Sequence, residues 1–295
     1  MRVLTPEVLT RLKNFKFDLR RHRVEGHLTG RHRSFKRGFS QEFAQHRSYV
    51  TGDDLKHLDW KVYARKDRFY VKEFQEEKSL KTYLMLDRSG SMGYRGAGDE
   101  SKWEYARRLT MSMAYLILSQ GDAAGLLTFD TERRDYLPPR QRMTHLELMD
   151  AALADSKPAG ETELAGVLGG IVGSLPRRSL IVLISDLLGD AERILETLRV
   201  YGARRHRLVV LQVLDPTERD LDLDGPVLFE GMEGGDSLRC EVALLRDAYR
   251  EAFHRQQKRY EASFHDTGVH HAVFYTDEPW HRGLARFLAR QSARG

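Results

Sequence analysis

From residue 81 to 295 the sequence predicts an α/β fold, a mostly parallel central sheet of about six strands with helices on both faces. A small basic N-terminal arm or subdomain over residues 1–80 precedes it. Two patterns carry this expectation. Short, continuously apolar runs alternate with longer segments of helical period, the signature of strands buried on both faces and covered by helices. The runs also end in Asp, Ser and Gly, as strands do where they give way to crest loops.

The elements follow in order. TYLMLD (82–87) is a buried strand, residues 102–118 are helical, and AAGLLTFD (123–130) is a second strand. RRDYLP (133–138) is short and polar, which suits an edge strand. Residues 144–153 and 164–175 have helical spacing, SLIVLISD (179–186) is a central strand, and 191–201 is a further helix. LVVLQVLD (208–215) adds a strand before a Pro/Asp/Gly-rich stretch over 215–226. A long helix over about 242–265, a strand at 269–275 and a helix from Pro279 complete the pattern.

Composition narrows the class. Hydrophobic residues make up 41% and charged residues 31% of the 295, near globular averages, so a packed core is expected. The longest strongly apolar runs, 180–184 and 208–214, fall far short of the roughly 20 residues that cross a bilayer. The start, MRVLTPEVLTRLKNF, lacks the apolar segment of a secretory signal, and cytoplasmic residence is the expectation. Cys240 is the single cysteine, so intramolecular disulfides and cysteine-rich zinc sites are excluded. The net charge of +5 is concentrated: residues 11–37 hold ten Lys/Arg against Asp18 and Glu25, a local balance of +8.

Chemistry gathers at the ends of the strands. LMLDRSGSMG (84–93) places Asp87, Ser89 and Ser91 at alternate positions where a buried strand enters a Ser/Gly turn, so three side-chain oxygens can converge. Thr162 opens a helix in AGETEL, and Asp186 ends the strand SLIVLISD. Open α/β sheets bind ligands at the carboxyl ends of their strands. Two carboxylates and three hydroxyls, without nitrogen or thiolate, suit Mg²⁺ or Mn²⁺ better than zinc. The bland alternative is that the serines and Thr162 cap helices while the aspartates end strands.

DRSGS, the ETEL threonine and the strand-terminal SD resemble the metal-ion-dependent adhesion site of von Willebrand factor A domains. The resemblance implies that Ser89, Ser91 and Thr162 coordinate Mg²⁺ through hydroxyls, with Asp87 and Asp186 acting directly or through water. It also implies an exchangeable position that a client protein fills with an acidic side chain. Residues 30–78 resemble the segment preceding the A-type domain in the bacterial "domain of unknown function 58" family, with Arg47, Tyr49, Gly52, Asp53, Asp54, Asp59, Trp60, Ala64 and Arg65 as anchors. That family is paired with MoxR-type AAA+ ATPases, which implies an adaptor in protein assembly or maturation, and a membrane-anchored partner is admitted.

Read physically, Asp53, Asp54 and Asp59 lie among Arg47, Lys56, Lys61 and Arg65, as in a brace of mutually paired charges. The basic run with Phe15, Phe17 and Phe35 also admits nucleic-acid or anionic-membrane binding. No recognition fold accompanies it, so a solvated or docking face is preferred.

Enzyme readings fare worse. Gly93 and Gly98 have phosphate-loop spacing but are followed by Asp99 and Glu100, which repel phosphate. A nucleophile elbow at Ser91 needs glycine where Ser89 stands, and an aspartyl phosphatase at Asp87 needs a carboxylate there. His270 and His271 are adjacent on a strand and point to opposite faces. The expectation is a protein-interaction domain rather than an enzyme. A metal-dependent phosphotransfer or hydrolytic activity at the same crest is the alternative.

Overall fold

The computed structural model describes residues 3, 10, 12, 41–51, 53–55, 58–76, 80–96, 98–160, 163–232 and 237–293. The chain divides into two compact units, one of Met1–Arg23 with Leu80–Gly295 and one of Val24–Ser79.

In the smaller unit, strand β1 (Gln41–Ser48) pairs antiparallel with β2 (Tyr70–Glu76), and helix α1 (Trp60–Lys66) lies between them in the chain. Asp59 caps α1 by accepting from the Lys61 and Val62 backbone N–H groups. His46 Nε2 lies 2.9 Å from Asp59 Oδ2, and the Arg47 guanidinium donates to Asp53 Oδ1 at 2.8 Å. Tyr63 stacks on Phe69 with centroids 4.4 Å apart. Two of the segment's carboxylates, Asp53 and Asp59, and two of its rings, Tyr63 and Phe69, are thus partnered within the unit. The basic run from Arg11 to Arg37 lies outside the described residues, apart from the buried Leu12.

The larger unit is built on strands β3 (Lys81–Asp87), β4 (Ala123–Phe129), β5 (Arg133–Arg140), β6 (Leu180–Ser185), β7 (Arg207–Leu214) and, after the short hairpin of β8 (Pro226–Phe229) and β9 (Leu238–Glu241), β10 (His270–Tyr275). Six of these form one sheet in the order β10-β7-β6-β3-β4-β5. All neighbours are parallel except β5, which runs antiparallel to β4 at the edge. β5 alternates exposed and half-buried residues and carries Pro138 and Pro139, as an edge strand tolerates.

Among the described residues these strands are accompanied by helices α2 (Lys102–Ser119), α3 (His145–Asp155), α4 (Leu164–Val172), α5 (Ala191–Ala203), α6 (Pro216–Asp220), α7 (Val242–Asp266) and α8 (Trp280–Ala293). Residues of β3 alternate between two cores. Leu84 and Leu86 pack in one with residues of α2, α3 and α8, while Tyr83 and Met85 pack in the other with residues of α4, α5 and α7. Every residue from Thr82 to Asp87 is buried, as a strand covered on both faces requires.

From β3 the chain moves outward through β4 to β5, then returns to the other side for β6, β7 and β10. This doubly wound order reverses between β3 and β6, and a crevice opens at the carboxyl ends of strands flanking such a point. Asp87 ends β3, and Asp186 immediately follows β6. The expected strands and helices are all present. The β8–β9 hairpin, the five-residue α6 and, in the smaller unit, β1, α1 and β2 are additions the sequence pattern did not reveal.

Candidate functional site

The crest begins where β3 runs out. After Asp87 the chain enters a single tight helical turn, Gly90–Gly93. Ser89 stands at the N-cap of this turn, but its hydroxyl makes no capping bond. Gly90 is required by close approach: a Cβ there would lie 2.5 Å from the Met232 carbonyl oxygen and 3.1 Å from that of Gly160. The Gly90 N–H donates to Gly160 O at 2.9 Å and the Ala159 N–H to Arg88 O at 3.0 Å. Two backbone bonds therefore seat the 156–160 loop against the turn. Thr162 lies outside the described residues, two positions beyond Gly160.

The other four expected ligands converge, all of them buried. Asp87 Oδ1 accepts from the Ser89 N–H at 3.0 Å, and Asp87 Oδ2 accepts from the Ser185 hydroxyl at 2.6 Å. The Ser89 and Ser91 hydroxyl oxygens are 3.0 Å apart. The Ser91 side chain in turn hydrogen-bonds Asp186. Asp186 Oδ1 accepts from the Leu188 N–H at 3.0 Å. Leu187 between them holds φ at +58°, a left-handed conformation costly for a branched side chain. The Ser185 hydroxyl accepts from its N–H at 3.0 Å, and the Leu187 carbonyl accepts from Tyr260 Oη at 3.1 Å. These bonds and a buried side chain hold the turn that aims Asp186.

A buried lysine completes the crest. Lys102, at the start of α2, is 1% exposed, and its ammonium donates to Asp186 Oδ2 at 2.8 Å and to Glu218 Oε1 at 2.6 Å. Glu218 sits on α6, where its other oxygen accepts from the Asp215 N–H at 2.7 Å, closing a capping box. Burial alone would push the lysine toward neutrality, but Asp186 and Glu218 outweigh it and hold the ammonium above its ordinary pKa. Burial would likewise raise Asp186, yet Lys102 keeps it below the usual carboxylate range. Asp87 has no such partner. Burial, then repulsion from Asp186, push it up to about 7 against the pull of Ser185 and Ser89.

This donor set fits a hard divalent cation. Its oxygens come from carboxylates and hydroxyls, and the two aspartates repel each other in a site where a dication would let both ionise. Among the described residues no three His, Cys, Asp or Glu side chains gather as a metal-holding group, so the fit rests on hydroxyls as well as acids. The neighbouring acids are committed elsewhere. Asp130 pairs with Arg134, and Asp215 accepts from the Gly96 and Thr217 N–H groups and from the Thr276 hydroxyl.

Sequence reasoning missed Ser185 and Lys102. Ser185 had a visible signal, adjacency to Asp186 at a strand end. Lys102 had none, because a lysine opening a helix defaults to solvent.

Strand order and antiparallel edge together give an α/β domain of the von Willebrand factor A-like fold. The chain belongs to the family described as "Protein of unknown function DUF58", whose model matches residues 45–263. An uncharacterized protein of Mycobacterium tuberculosis is 26% identical over 288 residues, covering 96% of this chain and 90% of the relative. The uncharacterized protein YeaD of Bacillus subtilis is 30% identical over 108 residues, 37% of this chain and 25% of its own length. Among solved structures, conserved hypothetical protein BatB from Bacteroides thetaiotaomicron is similar with a TM-score of 0.43 at 16% identity, covering 74% of this chain and 100% of that one. The SpRpn10 VWA domain gives a TM-score of 0.41 at 11% identity, over 70% and 93% of the two chains.

Proposed function

We propose that the crest binds Mg²⁺ or Mn²⁺ and that the bound ion docks another protein. The observation that carries this reading is the convergence of Asp87, Ser89, Ser91 and Asp186 at the switch point of the sheet. These residues, with Thr162, would hold the ion. The ion would supply a compact positive centre with an exchangeable position, to which a client's acidic side chain binds. Each protein group at the crest is occupied in holding its neighbours: Ser89 and Ser91 each other, Ser185 Asp87, and Lys102 two carboxylates. That favours recognition over a free serine nucleophile.

The partner we propose is a MoxR-type AAA+ ATPase, on the strength of family membership, with the chain acting as its adaptor in assembly or maturation of client proteins. Among the described residues no helix is long and apolar enough to cross a membrane. We propose a cytoplasmic adaptor that can meet a membrane-anchored partner.

The test is capture of such an ATPase, or of its client, by the tagged full chain. Capture should require Mg²⁺, reverse with chelator and vanish in Asp87→Ala. Capture indifferent to chelator would refute ion-mediated docking. Metal-dependent phosphoester turnover that is lost in Asp87→Ala would replace it with an enzymatic reading.

A further inference from the structure

Resting on the metal-site reading above, we infer that Lys102 and Glu218 set how tightly the crest holds its ion, acting as a built-in pair of opposite charges beside the ligands. Neither is among the proposed oxygen ligands.

Asp87, Asp186 and Glu218 bring three carboxylates to one end of the sheet, and Lys102 brings a single ammonium bonded to two of them. Asp186 and Glu218 share one ammonium while Asp87 bonds only neutral donors, so the paired ligands Asp87 and Asp186 are left short of positive charge, which a divalent ion would supply. Lys102 and Asp186 have side chains 1% and 2% exposed, so solvent screens their interaction poorly. The ammonium therefore competes with the ion for Asp186. Glu218, with a side chain 26% exposed, draws the ammonium partly away.

Geometry keeps the pair in place. Lys102 begins α2, whose N-terminus is fixed by the Ser101–Glu104 capping box, and the Lys102 N–H donates to Tyr94 O at 3.0 Å. Tyr94 in turn follows the Gly90–Gly93 turn and donates its N–H to Ser91 O. Glu218 is held through the Asp215 N–H, and its own carbonyl accepts from Tyr249 Oη at 2.7 Å. The ammonium is thus tied by short chain connections to the same turn that presents Ser89 and Ser91. An ion held too firmly could not exchange a ligand for a partner's carboxylate, and a fixed ammonium beside Asp186 tempers that hold.

Mn²⁺ binding to the full chain, followed by electron paramagnetic resonance and by Mg²⁺ competition, tests this through two variants of opposite sign. Lys102→Met removes the competing cation and should tighten Mn²⁺ at least tenfold. Glu218→Gln frees the ammonium for Asp186 alone and should weaken Mn²⁺ by a comparable factor. Lys102→Arg should restore near-native affinity. Each variant breaks a buried ion pair, so both should lower the melting temperature in chelator. A merely structural role would show that loss while affinities stayed equal or fell together, and that result overturns the inference alone. If wild type and Lys102→Met both fail to bind Mn²⁺, the metal reading fails and takes this one with it.

Discussion

The hydroxyl of Ser185 donates to Asp87 Oδ2 across 2.6 Å, joining the ends of the two strands between which the sheet reverses its winding. The same oxygen accepts from the Leu187 N–H, so one serine fixes both the Asp87 carboxylate and the strained turn that carries Asp186. Ser185→Ala removes a buried bond to an acidic acceptor, worth about 1.5–3 kcal/mol. The expected outcome is a loss of that size in denaturant unfolding, together with weaker Mn²⁺ binding. Unchanged Mn²⁺ affinity in a folded Ser185→Ala protein would mean that Asp87 needs no such orientation.

Gly90 should tolerate no side chain. Its added Cβ would meet two carbonyl oxygens, which are backbone and cannot swing away as a side chain would. Gly90→Ala must separate the turn from the 156–160 loop or from the segment at Met232, at a cost of about 1–3 kcal/mol. Gly98→Ala is the control, since nothing stands within 4 Å of its Cβ. Comparable melting temperatures for the two variants would show that the turn yields easily.

His271 gives the fold a dependence on acid. It lies against Phe264 with ring centroids 4.8 Å apart, and its Nε2 lies 3.1 Å from Gln212 Oε1. Burial pushes it down to about 4. The unfolded chain's histidine binds its proton near 6.5, so unfolding takes up a proton at intermediate pH. The stability this neutral ring contributes is complete above about 6.5 and is lost as the pH falls toward 4, an effect of roughly 2–3 kcal/mol. Urea titrations at pH 8 and pH 4.5 should show a smaller drop for His271→Gln than for wild type. Parallel drops would place the acid sensitivity elsewhere.

Much of this architecture was legible because apolar continuity survives in a one-dimensional string. LMLD and LIVLISD announce strands covered on both faces, and the acid at the end of each announces the crest. What escaped depends on partners distant in sequence. Lys102 is buried only because Asp186 and Glu218, 84 and 116 residues away, reach it. β1 has little apolar alternation and owes its extended form to pairing with β2. The hairpin of β8 and β9 leaves Leu228 and Leu238 exposed, and β8, PVLF, is apolar throughout although its burial alternates, so hydrophobicity leaves no alternation to read. α6 spans five residues, too few for a helical period, although Asp215, Pro216 and Glu218 spell its capping box.

Asp87 is buried at the sheet's switch point, and on the metal-site proposal a cation is what that burial serves. Its folded pKa of about 7 lies above its unfolded value, so the metal-free protein loses stability as the pH rises from about 4 to 7. A dication reverses that loss by binding the ionised form, and at a hundredfold excess over its dissociation constant it adds about 2.7 kcal/mol. The decisive measurement is the melting temperature at pH 8 of wild type and Asp87→Asn, each in chelator and in Mg²⁺. We predict that Asp87→Asn melts higher than wild type in chelator, that Mg²⁺ raises wild type by several degrees, and that it leaves the variant unmoved. A wild-type melting temperature that Mg²⁺ and Mn²⁺ leave unchanged up to millimolar concentration would contradict the account.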